Sequence, residues 1–353
     1  MNKKKFLYLY SELADYFVAC IRHLEKNFNV EIHLVRWPVN SEAPFQFEFP
    51  ENVTVYERRR LSSSEMVDLA KKIDPDLIYC CGWMDKDYLR ICKMFKNRIP
   101  VLGGMDNHWT GSFKQQIAKI LSPFTIQKYF THMFVAGAPQ RVYAKKLGFN
   151  DTHILEGYYS ADFYKFNKIY KHSKENKERQ FPHKFLYVGR YIEKKGIKNL
   201  WKAFIELNNE MNMDWELWSC GTGDLENLKP THHKIIHLGF LQPEDLAEIA
   251  KQTGVFILPS HFEPWGVVVH EFAAAGFPLI CSDKVGSAHK FLKNEENGFT
   301  FSSGNSKELK KAMKKIILTS DSELSQMGKK SVEYASLITP ETWSKNQIDL
   351  IDS

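Results

Sequence analysis

Short, almost wholly apolar runs alternate along this chain with longer segments whose apolar residues recur at helical spacing. Leu77-Ile78-Tyr79-Cys80-Cys81 and Val255-Phe256-Ile257-Leu258 are the clearest of the runs. Strands read this way when helices cover both faces of a parallel sheet, because every position is then buried. Strand–helix alternation therefore points to a doubly wound α/β sheet. In the first half, strands are expected at 6–10, 31–37, 53–57, 77–81, 100–102 and 133–135, with helices at 13–24 and 64–72. The second half restarts the pattern, with strands at 185–188, 215–218, 235–238, 255–258 and 279–281. Ile197, Leu200, Trp201, Phe204 and Ile205 fall at i, i+3, i+4, i+7 and i+8, one face of a helix. Further helices are expected at 243–251, 267–275, 306–318 and 322–334.

The 353 residues suit two domains at about 150 residues each. Residues 166–184, FNKIYKHSKENKERQFPHK, are charged and poor in aliphatic side chains, and read as a linker or long surface loop. The expected division is a first Rossmann-like domain at 1–165, a second at 185–338, and a carboxy-terminal segment at 339–353.

Composition excludes several classes. A hydrophobic fraction of 43% with 25% charged residues can bury large cores, so a disordered chain is excluded. No run of 18 apolar residues occurs, so no spanning helix is expected. The basic, apolar start is interrupted by Ser11, Glu12 and Asp15, and reads as a first strand rather than a targeting peptide. None of the six cysteines forms a CxxC pair, so reduced thiols in the cytoplasm are expected, without a zinc site or disulfide framework. The net charge of +6 favours anionic partners. Its basic residues are dispersed and form no nucleic-acid motif.

Ligands of open α/β sheets bind beyond the carboxyl ends of the strands. Three such ends are unusual here. Gly189-Arg190-Tyr191-Ile192-Glu193-Lys194-Lys195-Gly196 follows one strand and precedes a helix. Gly189 allows close backbone approach, while Arg190 and Lys195 offer a planar fork and a point charge suited to a diphosphate; two solvated surface cations are the alternative. Ser219-Cys220-Gly221-Thr222-Gly223-Asp224 is either a weak phosphate loop or a tight turn whose Asp224 caps the next helix. The most informative end is Pro259-Ser260-His261-Phe262-Glu263-Pro264-Trp265-Gly266-Val267-Val268-Val269-His270-Glu271. Glu263 is expected on the loop, the amides of Trp265, Gly266 and Val267 at the helix start, and Glu271 about one turn in. A carboxylate on so apolar a helix needs a partner, which is either a ligand hydroxyl or a basic side chain.

Taken together these features resemble the family-4 retaining glycosyltransferases of the GT-B fold. The resemblance covers 185–301 and rests on VGR at 188–190, Lys195-Gly196, the ILPS-x-x-EPWG turn, the Glu263/Glu271 pair, a helix ending AAAG and ENGFTF at 296–301. It implies two Rossmann-like domains facing a central cleft, with a carboxy-terminal helix at 339–353 that crosses back to the first. It also implies a nucleotide-sugar donor held mainly by the second domain, and transfer to a glycan or lipid-linked acceptor in polysaccharide, lipopolysaccharide or glycolipid assembly. On this resemblance Arg190 and Lys195 neutralise the donor diphosphate. Glu263 with Pro264, Trp265, Gly266 and Val267 holds the sugar, Glu271 the ribose, and Leu241, in the turn after Gly239-Phe240, lies near the base. No metal and no other cofactor is implied. The first half departs from the family, since Tyr10-Ser11-Glu12-Leu13-Ala14 lacks the glycine pair that many members carry after the first strand. Gly103-Gly104-Met105-Asp106-Asn107-His108-Trp109 stands where the family often places a His near the reacting centre, at the end of a later strand, which makes Asp106, Asn107 and His108 acceptor-side candidates or parts of a capped turn. A sugar-nucleotide epimerase, a phosphorylase and a non-catalytic carbohydrate- or partner-binding protein on the same scaffold are the other readings.

Two further signals stay open or are set aside. Asp74-Pro75-Asp76 spells DxD but precedes its strand, at the end away from the site. Residues 113–130 mix Lys114, Lys119 and Lys128 with large apolar residues, and read either as an interfacial helix at the inner face of a membrane or as a core helix pair broken at Pro123.

Overall fold

The computed structural model describes residues 3–38, 47–211 and 213–352. The chain divides into two compact units, Met1–Asp162 with Ile338–Ser353, and Phe163–Leu337. The first unit carries β1 (Lys4–Tyr10), α1 (Asp15–Asn27), β2 (Val30–Arg36), β3 (Val53–Glu57), α2 (Ser63–Ile73), β4 (Leu77–Cys80), α3 (Lys86–Phe95), β5 (Val101–Met105), α4 (Phe113–Thr125), β6 (His132–Val135), α5 (Ala138–Lys146) and β7 (Ile154–Glu156). The second carries α6 (Phe163–Arg179), β8 (Lys184–Val188), α7 (Ile197–Met211), β9 (Glu216–Cys220), β10 (Ile235–Gly239), α8 (Pro243–Gln252), β11 (Val255–Leu258), α9 (Val267–Ala274), β12 (Leu279–Ser282), α10 (Ala288–Phe291), β13 (Gly298–Phe301), α11 (Ser306–Ile317) and α12 (Asp321–Ala335). The chain then returns to the first unit with α13 (Pro340–Asp352).

Both sheets are wholly parallel, in the orders β3-β2-β1-β4-β5-β6-β7 and β10-β9-β8-β11-β12-β13. Tyr8 lies opposite Leu34 on one side and Tyr79 on the other. Leu186 lies between Trp218 and Phe256. The apolar runs LIYC and VFIL are β4 and β11, every residue buried, as helices on both faces require. Strand order reverses between β1 and β4, and between β8 and β11. Each gap is a topological switch point, where the loops beyond neighbouring strands diverge and leave room for a ligand.

The segment 166–184 is not an irregular linker. Most of it is α6, whose stripe at 166, 169, 170, 173 and 177 packs inward while Lys168, Lys171, Lys174, Glu175 and Glu178 face solvent. Phe166, Ile169 and Tyr170 start the stripe, but its later positions are Ser173 and Lys177, so the apolar signature that marks a helix in sequence stops after its first two turns. Strand β5 also runs further than expected, through Gly103 and Gly104 to Met105, so its loop starts at Asp106.

In the first unit α13 packs on α1. Trp343 stacks on Tyr8 at 6.0 Å and donates its indole N–H to the Tyr158 carbonyl at 3.2 Å. The Tyr8 hydroxyl donates to Gln347 Oε1 at 2.8 Å. Asp74 and Asp76 lie at the amino end of β4. Asp76 accepts from the Lys5 amide at 2.8 Å and Asp74 pairs with Arg98 at 3.2 Å. Among the described residues all six cysteines are free thiols, and no helix is long and apolar enough to cross a membrane.

Candidate functional site

The site is built on the switch point of the second sheet. The loop after β8 is laced to the loop after β9: the Gly189 amide donates to the Cys220 carbonyl at 3.0 Å and the Tyr191 amide to the Thr222 carbonyl at 2.8 Å. The β9 loop is tied in turn to the end of β10, where the Gly239 carbonyl accepts from the Gly221 amide at 2.7 Å. Leu241 follows, half-buried, before α8. Asp224 is not a helix cap. A 3-10 turn at Glu226–Leu228 follows, and its N-cap position is Leu225.

Arg190 is exposed on the β8 loop, and its carbonyl accepts from the Tyr187 hydroxyl at 2.9 Å. Burial, with Tyr191 and Glu263 close by, pushes the Tyr187 phenol well above its usual range, so it stays a neutral donor. Lys195 ends a short 3-10 turn and is followed by Gly196 in the left-handed region, φ +68°. A Cβ on Gly196 would lie 2.2 Å from the Pro259 carbonyl oxygen, so only glycine lets this loop close on the one after β11. The His261 amide then donates to the Lys194 carbonyl at 2.8 Å. That closure brings the Lys195 ammonium into an ion pair with the Glu263 carboxylate, both side chains mostly buried.

Glu263 is held from a third side. Its amide donates to the Lys284 carbonyl and its carbonyl accepts from the Gly286 amide, each at 3.0 Å, a parallel bridge to the loop after β12. Ser287 continues the lacing, its hydroxyl donating to the Gly266 carbonyl at 2.8 Å. Gly266 stands before α9 with φ +87°, and a Cβ there would come within 2.8 Å of Glu263 Cγ. Pro264 and Val267 flank it, half-buried, and Trp265 is buried. Ser260 Oγ, His261 Nε2 and Trp265 Nε1 are buried without a hydrogen-bond partner among the described residues. Three such atoms within six residues make this turn a place where the protein does not complete its own hydrogen bonds. Glu271 is the fifth residue of α9, half-buried; its neighbour His270 is buried and bonded to the Ala335 carbonyl at 2.9 Å.

The structure therefore joins Lys195 directly to Glu263, sets Gly189 and Arg190 on the same loop as Lys195, and sets Glu271 on the helix that the Glu263 loop leads into. The β12 loop and Tyr187 join this site without a motif of their own in the sequence. Lys284 to Ser287 follow the apolar strand LICS, so the strand-end rule applied once more marks them. Among the described residues no group of three or more His, Cys, Asp or Glu side chains is placed to hold a metal ion.

Asp106, Asn107 and His108 lie in the first unit, beyond β5. An Asp106 carboxylate oxygen accepts from the Tyr159 hydroxyl at 3.2 Å, and its carbonyl from the Gln140 amide group at 2.8 Å. Asn107 is exposed. The His108 carbonyl accepts from the Gln115 side chain at 2.8 Å, whose Oε1 in turn accepts from the Thr110 and Gly111 amides. The loop after β1 is fixed to the residue that follows β4, where the Ser11 amide donates to the Cys81 sulfur at 3.1 Å. Burial pushes that thiol up to about 12.

Residues 168–333 match the family described as glycosyl transferases group 1. An uncharacterized glycosyltransferase of Methanocaldococcus jannaschii is 33% identical over 120 residues, which are 32% of this chain and 30% of that protein. This match spans less than a third of that relative. Among solved structures, Anabaena HepE in complex with UDP and glucose superposes with a TM-score of 0.72 at 15% identity, covering 99% of this chain and 100% of that one. Sucrose-phosphate synthase from Thermosynechococcus elongatus gives 0.71 at 17% identity, covering 99% and 98%. Over residues 168–333 the chain resembles glycosyl transferases group 1, and its two parallel α/β units are those of the GT-B glycosyltransferase fold.

Proposed function

We propose that the protein is a retaining, metal-independent glycosyltransferase that moves a sugar from a nucleotide-sugar donor to a hydroxyl of a glycan or lipid-linked acceptor. The reading extends to polysaccharide, lipopolysaccharide or glycolipid assembly on the cytoplasmic side of a membrane. The observation that carries it is the Lys195–Glu263 pair, held across the switch point by three laced loops within the segment that resembles the family. A cation and a carboxylate side by side suit a donor that presents phosphate oxygens next to sugar hydroxyls.

In this reading the bond from the sugar C1 to the diphosphate oxygen breaks and the acceptor oxygen bonds to C1 on the same face. The acceptor proton passes to the departing phosphate. Arg190 and Lys195 stabilise the charge that develops on the diphosphate, an electrostatic role that acts most strongly in the transition state. Glu263 and the amides of Trp265, Gly266 and Val267 bind the sugar hydroxyls. Glu271 accepts from the ribose, and Gly189 and Leu241 line the nucleotide. Asp106, Asn107 and His108 are the acceptor-side groups. HepE was solved with UDP and glucose, which makes a UDP-sugar the first probe.

The test is a panel of UDP-, GDP- and ADP-sugars scored by calorimetric binding and by slow donor hydrolysis, with and without a chelator. One sugar nucleotide is expected to bind and to be hydrolysed without added metal. Consumption of inorganic phosphate, or epimerisation without an acceptor, would replace transfer by the corresponding reaction. No binding to any member of the panel would overturn the reading.

A further inference from the structure

Helix α4 carries its largest apolar side chains on the outside. Among the described residues, Phe113, Ile117, Ile120, Leu121 and Phe124 are exposed together on this one helix, while the other exposed large hydrophobics are scattered over the surface. Phe113, Phe124 and Ile120 are 80%, 75% and 73% exposed. The spacing i, i+4, i+7, i+8 and i+11 gathers all five into a sector of about 100°. The opposite face is small: Ala118 packs on the core, and the buried Ser122 hydroxyl donates to the Leu147 carbonyl at 2.6 Å. The helix is thus already anchored to its unit, and Phe113, Ile120 and Phe124 add little to that anchoring.

The surrounding charge is one-sided. Residues 107–150 contain Lys114, Lys119, Lys128, Arg141, Lys145 and Lys146 and no Asp or Glu. Arg141 and Lys145 pair with Asp151 and Glu156, and Lys146 lies over the Trp109 ring at 4.9 Å. Lys114 is exposed at the border of the apolar stripe, Lys119 is exposed on the far side of the helix, and Lys128 is exposed just beyond the helix end. Protein interfaces are depleted in lysine, whereas helices that lie in the headgroup layer combine an aromatic and aliphatic face with flanking lysines.

We propose that this face of α4 docks on a bilayer surface containing anionic phospholipid, with the five apolar side chains entering the headgroup–acyl boundary and Lys114 and Lys128 meeting the anionic headgroups. Gln115 ties the 108–111 loop to the first turn of the helix, so docking holds the loop with Asp106, Asn107 and His108 beside the headgroups. Lipid binding needs neither Lys195 nor Glu263, so it is measured separately from the donor chemistry.

The experiment is co-sedimentation of the full chain with vesicles of phosphatidylcholine alone and of phosphatidylcholine mixed with phosphatidylglycerol. Wild type is expected to partition onto the mixed vesicles and to leave them as salt is raised. Lys114→Gln/Lys128→Gln is expected to lower partitioning on the mixed vesicles by about 10-fold or more, each lysine contributing about 1 kcal/mol near such a surface. Ile120→Glu/Phe124→Glu is expected to abolish it with an unchanged thermal midpoint and unchanged UDP-glucose titration, because both side chains point to solvent. Wild type that stays in the supernatant, or the double glutamate variant sedimenting like wild type, overturns the proposal. So does a wild type that leaves vesicles unbound but self-associates in solution and becomes monomeric on the same substitution, which would make the face an interface between copies of this chain.

Discussion

The Lys195 ammonium and the Glu263 carboxylate form an ion pair between two loops that are 68 residues apart in sequence. Neither side chain can reach the other unless the loops after β8 and β11 are closed on each other, and that closure depends on Gly196. The pair is therefore a reporter of loop geometry as well as a candidate for chemistry.

Replacing Glu263 by Ala leaves a mostly buried ammonium without its carboxylate, and replacing Lys195 by Ala does the reverse. Each is expected to lower transfer by about 10²-fold, the scale on which a single transition-state contact acts. The double variant is expected to fall little further than the weaker single one, because the two act as a unit. Steady-state rates with a sugar nucleotide, read as a double-mutant cycle, check this; fully additive losses would show that the pair is not coupled. Arg190→Ala should lower the rate on the same scale with the pair intact.

Gly196→Ala tests the closure itself. The methyl group meets the Pro259 carbonyl and the backbone must hold φ +68°, so the loops are forced apart. A strained conformation of this kind costs about 1–3 kcal/mol. For a unit of this size that is roughly 2–12 °C in the unfolding midpoint. A midpoint within a degree of wild type, with donor binding unchanged, would contradict the geometry.

Lys177 sets a pH dependence in the second unit. It is buried, its ammonium donates to the Ala250 carbonyl at 3.2 Å, and it lies 3.9 Å from the centroid of the Phe277 ring. Burial lowers it to about 7. A lysine of the unfolded chain titrates near 10.4, so between about 7 and 10 the unfolded state binds more protons and this group adds stability as pH rises. Lys177→Met removes that slope. The midpoint of wild type minus that of the variant is expected to increase from pH 7 to pH 9.5 in paired thermal melts, and a flat difference would exclude the effect.

The sheets were legible because their strands obey a local rule. LIYC and VFIL are short and apolar throughout, and no surface element reads that way. The loops that carry the candidate site were legible for a different reason, since the strand-end rule needs only the strands. What stayed hidden is non-local. Ser173 and Lys177 lie on the buried face of α6 because of what packs against them, and their own chemistry gives no sign of it. The Lys195–Glu263 contact depends on sheet order, which places β8 beside β11 although β9 and β10 intervene in sequence. The exposed stripe of α4 has the spacing of an ordinary core helix. Only the structure shows which way it faces.

The return of α13 to the first unit has a consequence in time. Trp343 and Gln347 complete an aromatic core whose other members, Tyr8, Phe17 and Phe134 among them, are synthesised before position 163. The whole of the second unit is translated in between. At about 5–20 residues per second, the nascent first unit waits for roughly 10–35 s with that core open to its surroundings. The second unit is born later and can be finished sooner, so the order of completion runs against the order of synthesis.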